Sequence, residues 1–267
     1  MGFEIAEYEI RSLRITEAEG FTFVFLSDLH ICNPKDQNRK IREAIRRFRP
    51  DAVLSGGDMV LAKGRHSTNV PEELLTGLAE DFPVYVANGN HELRMEEERE
   101  VYKNQAEEYR KRLESAGCTI LNNRSALLVK GADRVRIWGL DIPRHYYPKF
   151  RRASMEPSFL RDSLGEPSKE EYHILMAHSP NYPEAYAAWG ADVILAGHFH
   201  GGTIRLPFLG ALMSPDFQLF PRYAHGRFDL AGGGVMLVSS GLGVHSVRLR
   251  INNPPELVVL RLGREEL

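Results

Sequence analysis

Apolar residues along this chain fall into short dense runs, each ending abruptly at a polar turn. Residues 3–10, FEIAEYEI, alternate apolar and polar side chains, the pattern of a half-buried edge strand. Residues 21–26 are richer in aromatic and β-branched side chains and suit a central strand. Ile41, Ala44, Ile45 and Phe48 recur at helical spacing and predict an amphipathic helix that stops before Pro50. A short strand over 52–54 follows, then a helix over 72–80 opened by Pro71, then a strand over 84–87. Tyr102, Ala106, Tyr109 and Leu113 share one stripe of a highly charged segment, so a single long helix is expected over 94–116, stopped by Gly117. The period then returns to strands over 119–121, 126–130 and 135–140. Residues 143–170 have little periodicity and read as a surface excursion with one short helix near 158–163. A strand over 173–177, a helix over 182–189, a strand from Asp192, and closing strands over 232–240 and 257–262 complete the pattern.

Composition narrows the function classes. The 267 residues carry 34 Lys plus Arg against 36 Asp plus Glu, a formal charge of −2 that offers no field for a nucleic acid backbone. No repeat or linker divides the chain, so one domain over 1–267 is expected. The two cysteines, Cys32 and Cys118, show no paired spacing and read as reduced thiols. No run approaches the roughly 18 apolar residues of a bilayer span. The N-terminus alternates where a signal peptide would have an unbroken apolar core, so the chain as given reads as soluble; the compartment is left open, with a cytoplasmic or membrane-peripheral location preferred. Residues 204–220 are apolar but broken by Pro207, Gly210 and Pro215. The stretch 206–220 admits two readings: packing under a sheet, or an exposed lip that takes an acyl chain or makes peripheral contact with a membrane. Oligomeric state is left open.

The chemistry lies where the apolar runs stop. Five of them deliver Asp28 and His30, Asp58, Asn90 and His91, His178, and His198 with His200. In an open α/β or sandwich-type fold all five can meet at the carboxyl edge of a sheet. Glycine beside these residues, at Gly56-Gly57, Gly89, Gly197 and Gly201-Gly202, lets the backbone bend sharply and a substrate approach. A nitrogen and oxygen donor set without thiolates favours a transition ion, with Mn, Fe, Zn and Ni the candidates. Asp58, alone after two glycines, is the natural bridging carboxylate. Two cations about 3.5–4 Å apart polarise a phosphoryl oxygen and lower the pKa of a shared water. His91, free to point at substrate, is the candidate acid for the leaving group.

The ordered motifs DxH, GGD, GNHE, H and GHxH resemble the calcineurin-like metallophosphoesterase superfamily from Asp28 to about His200. GGxIRLPFLG and SSGLG extend the resemblance toward a bacterial phosphohydrolase branch whose members are often membrane-associated. The resemblance implies an α/β, four-layer α/β/β/α sandwich of two mixed β-sheets flanked by helices. It implies that Asp28, His30, Asp58 and His200 hold one metal, that Asp58, Asn90, His178 and His198 hold the other, Mn foremost, and that His91 acts on the leaving group. The implied activity is hydrolysis of a phosphodiester, phosphomonoester or pyrophosphate bond by metal-bridged hydroxide attack, on a substrate such as a lipid-linked or nucleotide ester. Phe199 departs from the family's usual small polar residue, and an N-terminal hydrophobic segment is absent. The alternatives are a catalytically silent scaffold or a nuclease; the complete donor set argues against the first and the missing basic groove against the second.

Several residues carry blander readings. Asn90 alone would only shape a turn, and His178 alone would only start a helix. Cys32, two residues past His30, reads as a loop thiol. Arg205, Arg222 and His225 read as solvated cations, and His66, His145, His173 and His245 receive no role.

Overall fold

Alternate side chains of the central strands face two different hydrophobic layers, and this sets the architecture. The structure is a computed structural model that describes residues 2–30, 34–64, 66–149, 153–202, 204–206, 208–215, 217–243 and 250–265. The first half of the chain forms β1 (Glu4–Ser12), β2 (Phe21–Leu26), α1 (Pro34–Phe48), β3 (Ala52–Ser55), α2 (Asn69–Ala79), β4 (Val84–Val86), α3 (Asn90–Glu97), α4 (Arg99–Tyr102), α5 (Gln105–Ser115) and β5 (Thr119–Ile120). The second half forms β6 (Arg124–Lys130), β7 (Asp133–Leu140), α6 (Pro157–Leu164), β8 (Tyr172–Ala177), α7 (Pro183–Trp189), β9 (Val193–Ala196), β10 (Arg205–Leu206), β11 (Gly210–Ala211), β12 (Gly226–Asp229), β13 (Val235–Val238) and β14 (Glu256–Arg264).

Among the described residues the strands build two six-stranded mixed sheets, β1-β14-β2-β3-β4-β5 and β12-β13-β9-β8-β7-β6, with β10-β11 as a separate hairpin. β2, β3, β4 and β5 are mutually parallel, as are β7, β8, β9 and β13; β14 runs antiparallel to β2. Phe23, Phe25 and Leu260 of the first sheet interlock with Ile174, Met176 and Leu195 of the second. Val24, Leu26 and Val53 face outward onto Ile41, Ile45, Leu74, Leu78 and Leu113 of the helices. On the opposite side Leu175 and Ile194 meet Leu160, Tyr186 and Trp189. The result is the expected α/β/β/α sandwich. Strands buried on both faces explain the unbroken apolar runs, and each fully buried Phe, Ile or Leu contributes on the order of 1.5–3 kcal/mol to holding them.

Four expectations need correction. The helix over 94–116 is three helices, because the backbone turns at Glu98 (ψ 56°) and Lys103 (φ 55°). These turns fold α5 back against α3 and α2, where Arg110 pairs with Glu96 and Arg112 with Glu72, while most other charged side chains of the run are exposed. The first of the three starts at Asn90, so Asn90 and His91 open a helix. α2 begins at Asn69 rather than at Pro71, whose missing N–H still falls within the unbonded first turn. The 143–170 excursion is partly core, with Met155 and Leu160 buried. The strand β12 was not legible in its sequence, GRFD, which is mostly polar.

Candidate metal centre

The parallel strands β2, β3, β4, β8 and β9 all end at one edge of the sandwich, and the turns leaving them carry the candidate ligands. Asp28, His30, Asp58, His198 and His200 all adopt positive φ, between 43° and 66°. This left-handed backbone is costly for residues other than glycine, about 1–3 kcal/mol each. It turns each side chain out of its strand direction and back toward a common point. Gly57 (φ +91°) is required at the crossing: a Cβ there would stand 2.2 Å from the Gly89 nitrogen. Gly197 is required for the same reason, since its Cβ would meet an Asp28 carboxylate oxygen at 2.2 Å.

The side chains converge in three overlapping buried groups whose ligand atoms lie within 4.8 Å of one another: Asp28, His30 and His200; His30, Asp58 and His91; Asp58, His178 and His198. His30 and His200 face each other Nε2 to Nε2 at 3.1 Å. The His200 nitrogen is 3.3 Å from Asp28 Oδ1, and His178 Nε2 is 3.1 Å from Asp58 Oδ2. Asp58 belongs to two of the three groups and so links His30 and His91 to His178 and His198. The rings are aimed from behind. His30 Nδ1 bonds the Val60 carbonyl at 3.0 Å and His178 Nδ1 the Gly56 carbonyl at 2.8 Å, which leaves each Nε2 for the centre.

The donor set fits divalent cations. Asn90 Oδ1 is buried and has no hydrogen-bond partner, as expected of an oxygen waiting for a cation. The electrostatics agree. Burial works to raise Asp58, but His178, His91 and His30 outweigh it and hold the carboxyl well below the usual range. Burial, assisted by Asp58, raises Asp28 despite the pull of His178. Burial disfavours a proton on His178, yet Asp58 and Asp28 push its pKa up to about 10, the effect of a negative field that would equally draw a metal cation. Burial, with His178 and His198 nearby, lowers His91 against the pull of Asp58.

Two supporting elements were not assigned from sequence. Glu92 is buried and its carboxylate accepts four backbone N–H groups: Asp58 and Gly89 on Oε2, both at 2.8 Å, and Met59 (2.8 Å) and Val60 (3.1 Å) on Oε1. It ties the GGD turn to the GNHE helix. The signal was in the fourth residue of GNHE, but a Glu early in a helix reads first as a cap. The other is the SSGLG turn after β13, where the Leu242 and Gly243 N–H groups bond the Ser27 and Asp28 carbonyls at 3.1 and 2.8 Å.

The remaining candidates separate cleanly. Phe199 is buried and points away from the ligand groups into a cavity of about 360 Å³ with Tyr182 and Tyr223. Arg205 bonds Ser240 Oγ and Asn253 Oδ1, and His225 pairs with Glu256 at 2.7 Å, so both are structural ties rather than solvated cations. His173 is held by Trp138 and the Ser168 carbonyl. Cys118 is a buried free thiol, its pKa pushed up to about 11 by burial. Cys32 and His245 lie outside the described residues. The packing reading of 206–220 does not hold: Phe208, Leu209, Phe217, Leu219 and Phe220 are all exposed, Leu209 by 66% and Leu219 by 69%.

A four-layer sandwich with buried carboxylate and imidazole clusters at its strand ends defines the class: an α/β protein whose strand ends gather groups that could hold metal ions. The chain belongs to the calcineurin-like phosphoesterase family, whose sequence profile matches residues 21–202 and so takes in every candidate ligand. Members of this family are metal-dependent hydrolases with a dinuclear divalent centre. The chain is 27% identical over 266 residues to the phosphodiesterase YaeI of Escherichia coli, an alignment covering 97% of this chain and 88% of that one. It is 26% identical to the uncharacterized protein YpbG of Bacillus subtilis, covering 90% and 80%. It is 23% identical to the UDP-2,3-diacylglucosamine pyrophosphatase LpxG of Chlamydia muridarum, covering 93% and 85%. A phosphopantetheinyl hydrolase from Mycobacterium tuberculosis shares the fold at a TM-score of 0.51 and 12% identity, over 85% of this chain and 90% of that one.

Proposed function

We propose that residues 1–267 act as one catalytic domain that hydrolyses a phosphodiester or pyrophosphate bond with two divalent transition ions, Mn foremost. Asp28, His30, Asp58 and His200 hold one ion; Asp58, Asn90, His178 and His198 hold the other. The convergence of these donors within 4.8 Å in each cluster carries the reading. When bound, such a pair supplies charge to the phosphoryl oxygens and acidifies the attacking water. His91 accepts the Ala62 N–H on Nδ1 at 2.7 Å, which puts the ring proton of the neutral imidazole on Nε2. That nitrogen is 4.0 Å from Asp58 Oδ2 and faces the centre, the position from which its N–H would hydrogen-bond to the departing oxygen as charge develops there. The Escherichia coli phosphodiesterase and the Chlamydia muridarum pyrophosphatase among its relatives support the bond types.

The exposed residues of 206–220 follow directly from the Gly201-Gly202 turn and form an apolar lip suited to peripheral contact with a membrane surface. No helix among the described residues is long and apolar enough to cross a membrane. This lip favours a substrate presented at the cytoplasmic face of a membrane.

The test is hydrolysis of bis(4-nitrophenyl) phosphate by metal-stripped protein before and after loading with Mn. Activity should appear only on loading. His91→Ala should slow turnover by about 10²–10⁴-fold with metal content unchanged, whereas Asp58→Asn should lower metal content itself. Protein holding two ions per chain that turns over no monoester, diester or pyrophosphate would sink the proposal.

A further inference from the structure

We infer that Asn253 is a positioning residue for one half of the metal centre: it sets the His200 turn, so the ion assigned to Asp28, His30, Asp58 and His200 depends on it and the other ion does not. The inference rests on the two-ion reading above and concerns a part of the chain beyond the residues 21–202 that the family profile matches.

Three consecutive residues of the His200 turn are left-handed: His200 (φ 50°), Gly201 (φ 66°) and Gly202 (φ 74°). Such a run is unfavourable by itself and needs a partner from outside it. Asn253 supplies one. It is buried, and its Nδ2 donates to the His200 carbonyl at 2.6 Å and to the Gly202 carbonyl. A single NH₂ thus closes both ends of the run. Its orientation follows from Arg205, whose guanidinium can only donate and lies 2.7 Å from Oδ1, so the oxygen faces the arginine and the NH₂ faces the turn. Gly201 fits over this pair because it lacks a side chain: a Cβ there would stand 2.3 Å from Asn253 Oδ1. His30 and His178 are aimed through bonds at Nδ1. His200 is held through its main chain, with its Nε2 3.3 Å from Asp28 Oδ1.

The segment that carries Asn253 is itself fixed. Pro254 and Pro255 stiffen the backbone beside it. The Pro255 carbonyl accepts the Glu4 N–H at 2.8 Å, and the Glu256 N–H bonds the Gly241 carbonyl at 3.0 Å. Arg250 donates to the Ser240 carbonyl at 2.8 Å and to the Gly241 carbonyl at 3.3 Å. The same SSGLG turn bonds the Ser27 and Asp28 carbonyls, so residues 250–256 reach Asp28 through that turn and His200 through Asn253. Asp28 and His200 belong to one ligand group. The other ion's ligands have different supports: Glu92 accepts the Asp58 and Gly89 N–H groups, the Gly56 carbonyl holds His178, and the His198 N–H bonds the Asp28 carboxylate at 3.1 Å. Loss of the Asn253 amide therefore frees His200 and leaves Asn90, His178 and His198 in place.

The experiment titrates metal-free wild type, Asn253→Ala and Asn253→Asp with Mn by calorimetry, with Leu160→Ala as a control that weakens a different layer of the core. Asn253→Asp keeps the volume and the Arg205 contact but turns an oxygen toward the two carbonyls. Both Asn253 variants should take up one ion as wild type does and bind the other about 10–100-fold more weakly. Electron paramagnetic resonance at two equivalents of Mn should show a lone ion where wild type shows a coupled pair. Leu160→Ala should lower Tm and leave both affinities unchanged. Hydrogen exchange of the metal-free proteins gives a second readout: in the Asn253 variants the Gly202 and Arg205 amides should exchange faster, and the Asp58 and Met59 amides as in wild type. Equal weakening of both ions, two ions bound with wild-type affinity, or unchanged exchange at Gly202 would overturn the inference. Wild type that binds a single ion would defeat the two-ion reading, and the exchange comparison would then decide the role of Asn253. Wild type that binds two ions and hydrolyses no ester, with the variants still losing one, upholds the positioning role and defeats the hydrolase reading.

Discussion

Glu92→Gln should loosen the centre from behind without touching any candidate ligand. The carboxylate accepts two N–H groups on each oxygen, so a glutamine amide retains the pair on its single oxygen and turns an NH₂ toward the other two. Two hydrogen bonds to a charged acceptor are lost, at about 1.5–3 kcal/mol each. Against this, removing the charge relieves a real cost: burial and the Asp58 carboxylate push Glu92 up to about 7, although the Val60, Asp58 and Gly89 N–H groups pull it down. The net loss is roughly 2–4 kcal/mol, which corresponds to a fall in Tm of roughly 5–15 °C for a chain of this size. Oε2 holds Asp58 and Gly89 and Oε1 holds Met59 and Val60, so loss of either pair removes bonds from the GGD turn, which should loosen from α3, and metal content should fall with it. Scanning calorimetry and elemental analysis read both quantities. A variant that melts within 2 °C of wild type and still retains two ions per chain would refute the claim that Glu92 clamps the turn.

Metal-free protein should lose stability as pH rises from about 6.5 to about 10, because His178 titrates higher in the fold than in the unfolded chain and its stabilising proton is lost across that window. Mn should flatten this slope in melting curves at pH 7 and 9, and an unchanged slope would count against His178 as a ligand. Asp141, pushed up to about 7 by burial and Glu96, should give a separate loss between about pH 4 and 7, since it is the ionised form that the fold disfavours; Asp141→Asn should remove that part. Replacing Leu209 and Phe220 together by Ser should reduce sedimentation with anionic vesicles severalfold and leave Tm within about 2 °C, because exposed side chains contribute little to folding. Equal sedimentation would remove the membrane contact.

The elements that positioned the chemistry were legible because their pattern is local. Phe23 to Leu26, Val53-Leu54 and Ile174 to Ala177 are buried on both faces, so their apolar runs stand out. The break at Glu98 and Lys103 was not legible, because Tyr102, Tyr109 and Leu113 keep helical spacing across it and only pairing with Glu72 and Glu96 reveals the fold-back. The lip at 206–220 was ambiguous for the opposite reason: apolar residues look alike in a sequence whether they face core or solvent.

What the sequence determined by itself was the inventory: which strands end in Asp, Asn or His, in which order, with glycines beside them. Tertiary structure alone decided how those groups act together. The Asp28 carboxylate meets the His198 backbone N–H across 170 residues, and Glu92 reaches Asp58 across 34. Positive φ at Asp28, His30, Asp58, His198 and His200 is unfavourable locally and persists only because packing and those long-range bonds hold it. A local pattern records the propensity of each segment, whereas the distances between segments arise only once both sheets have closed on their common core.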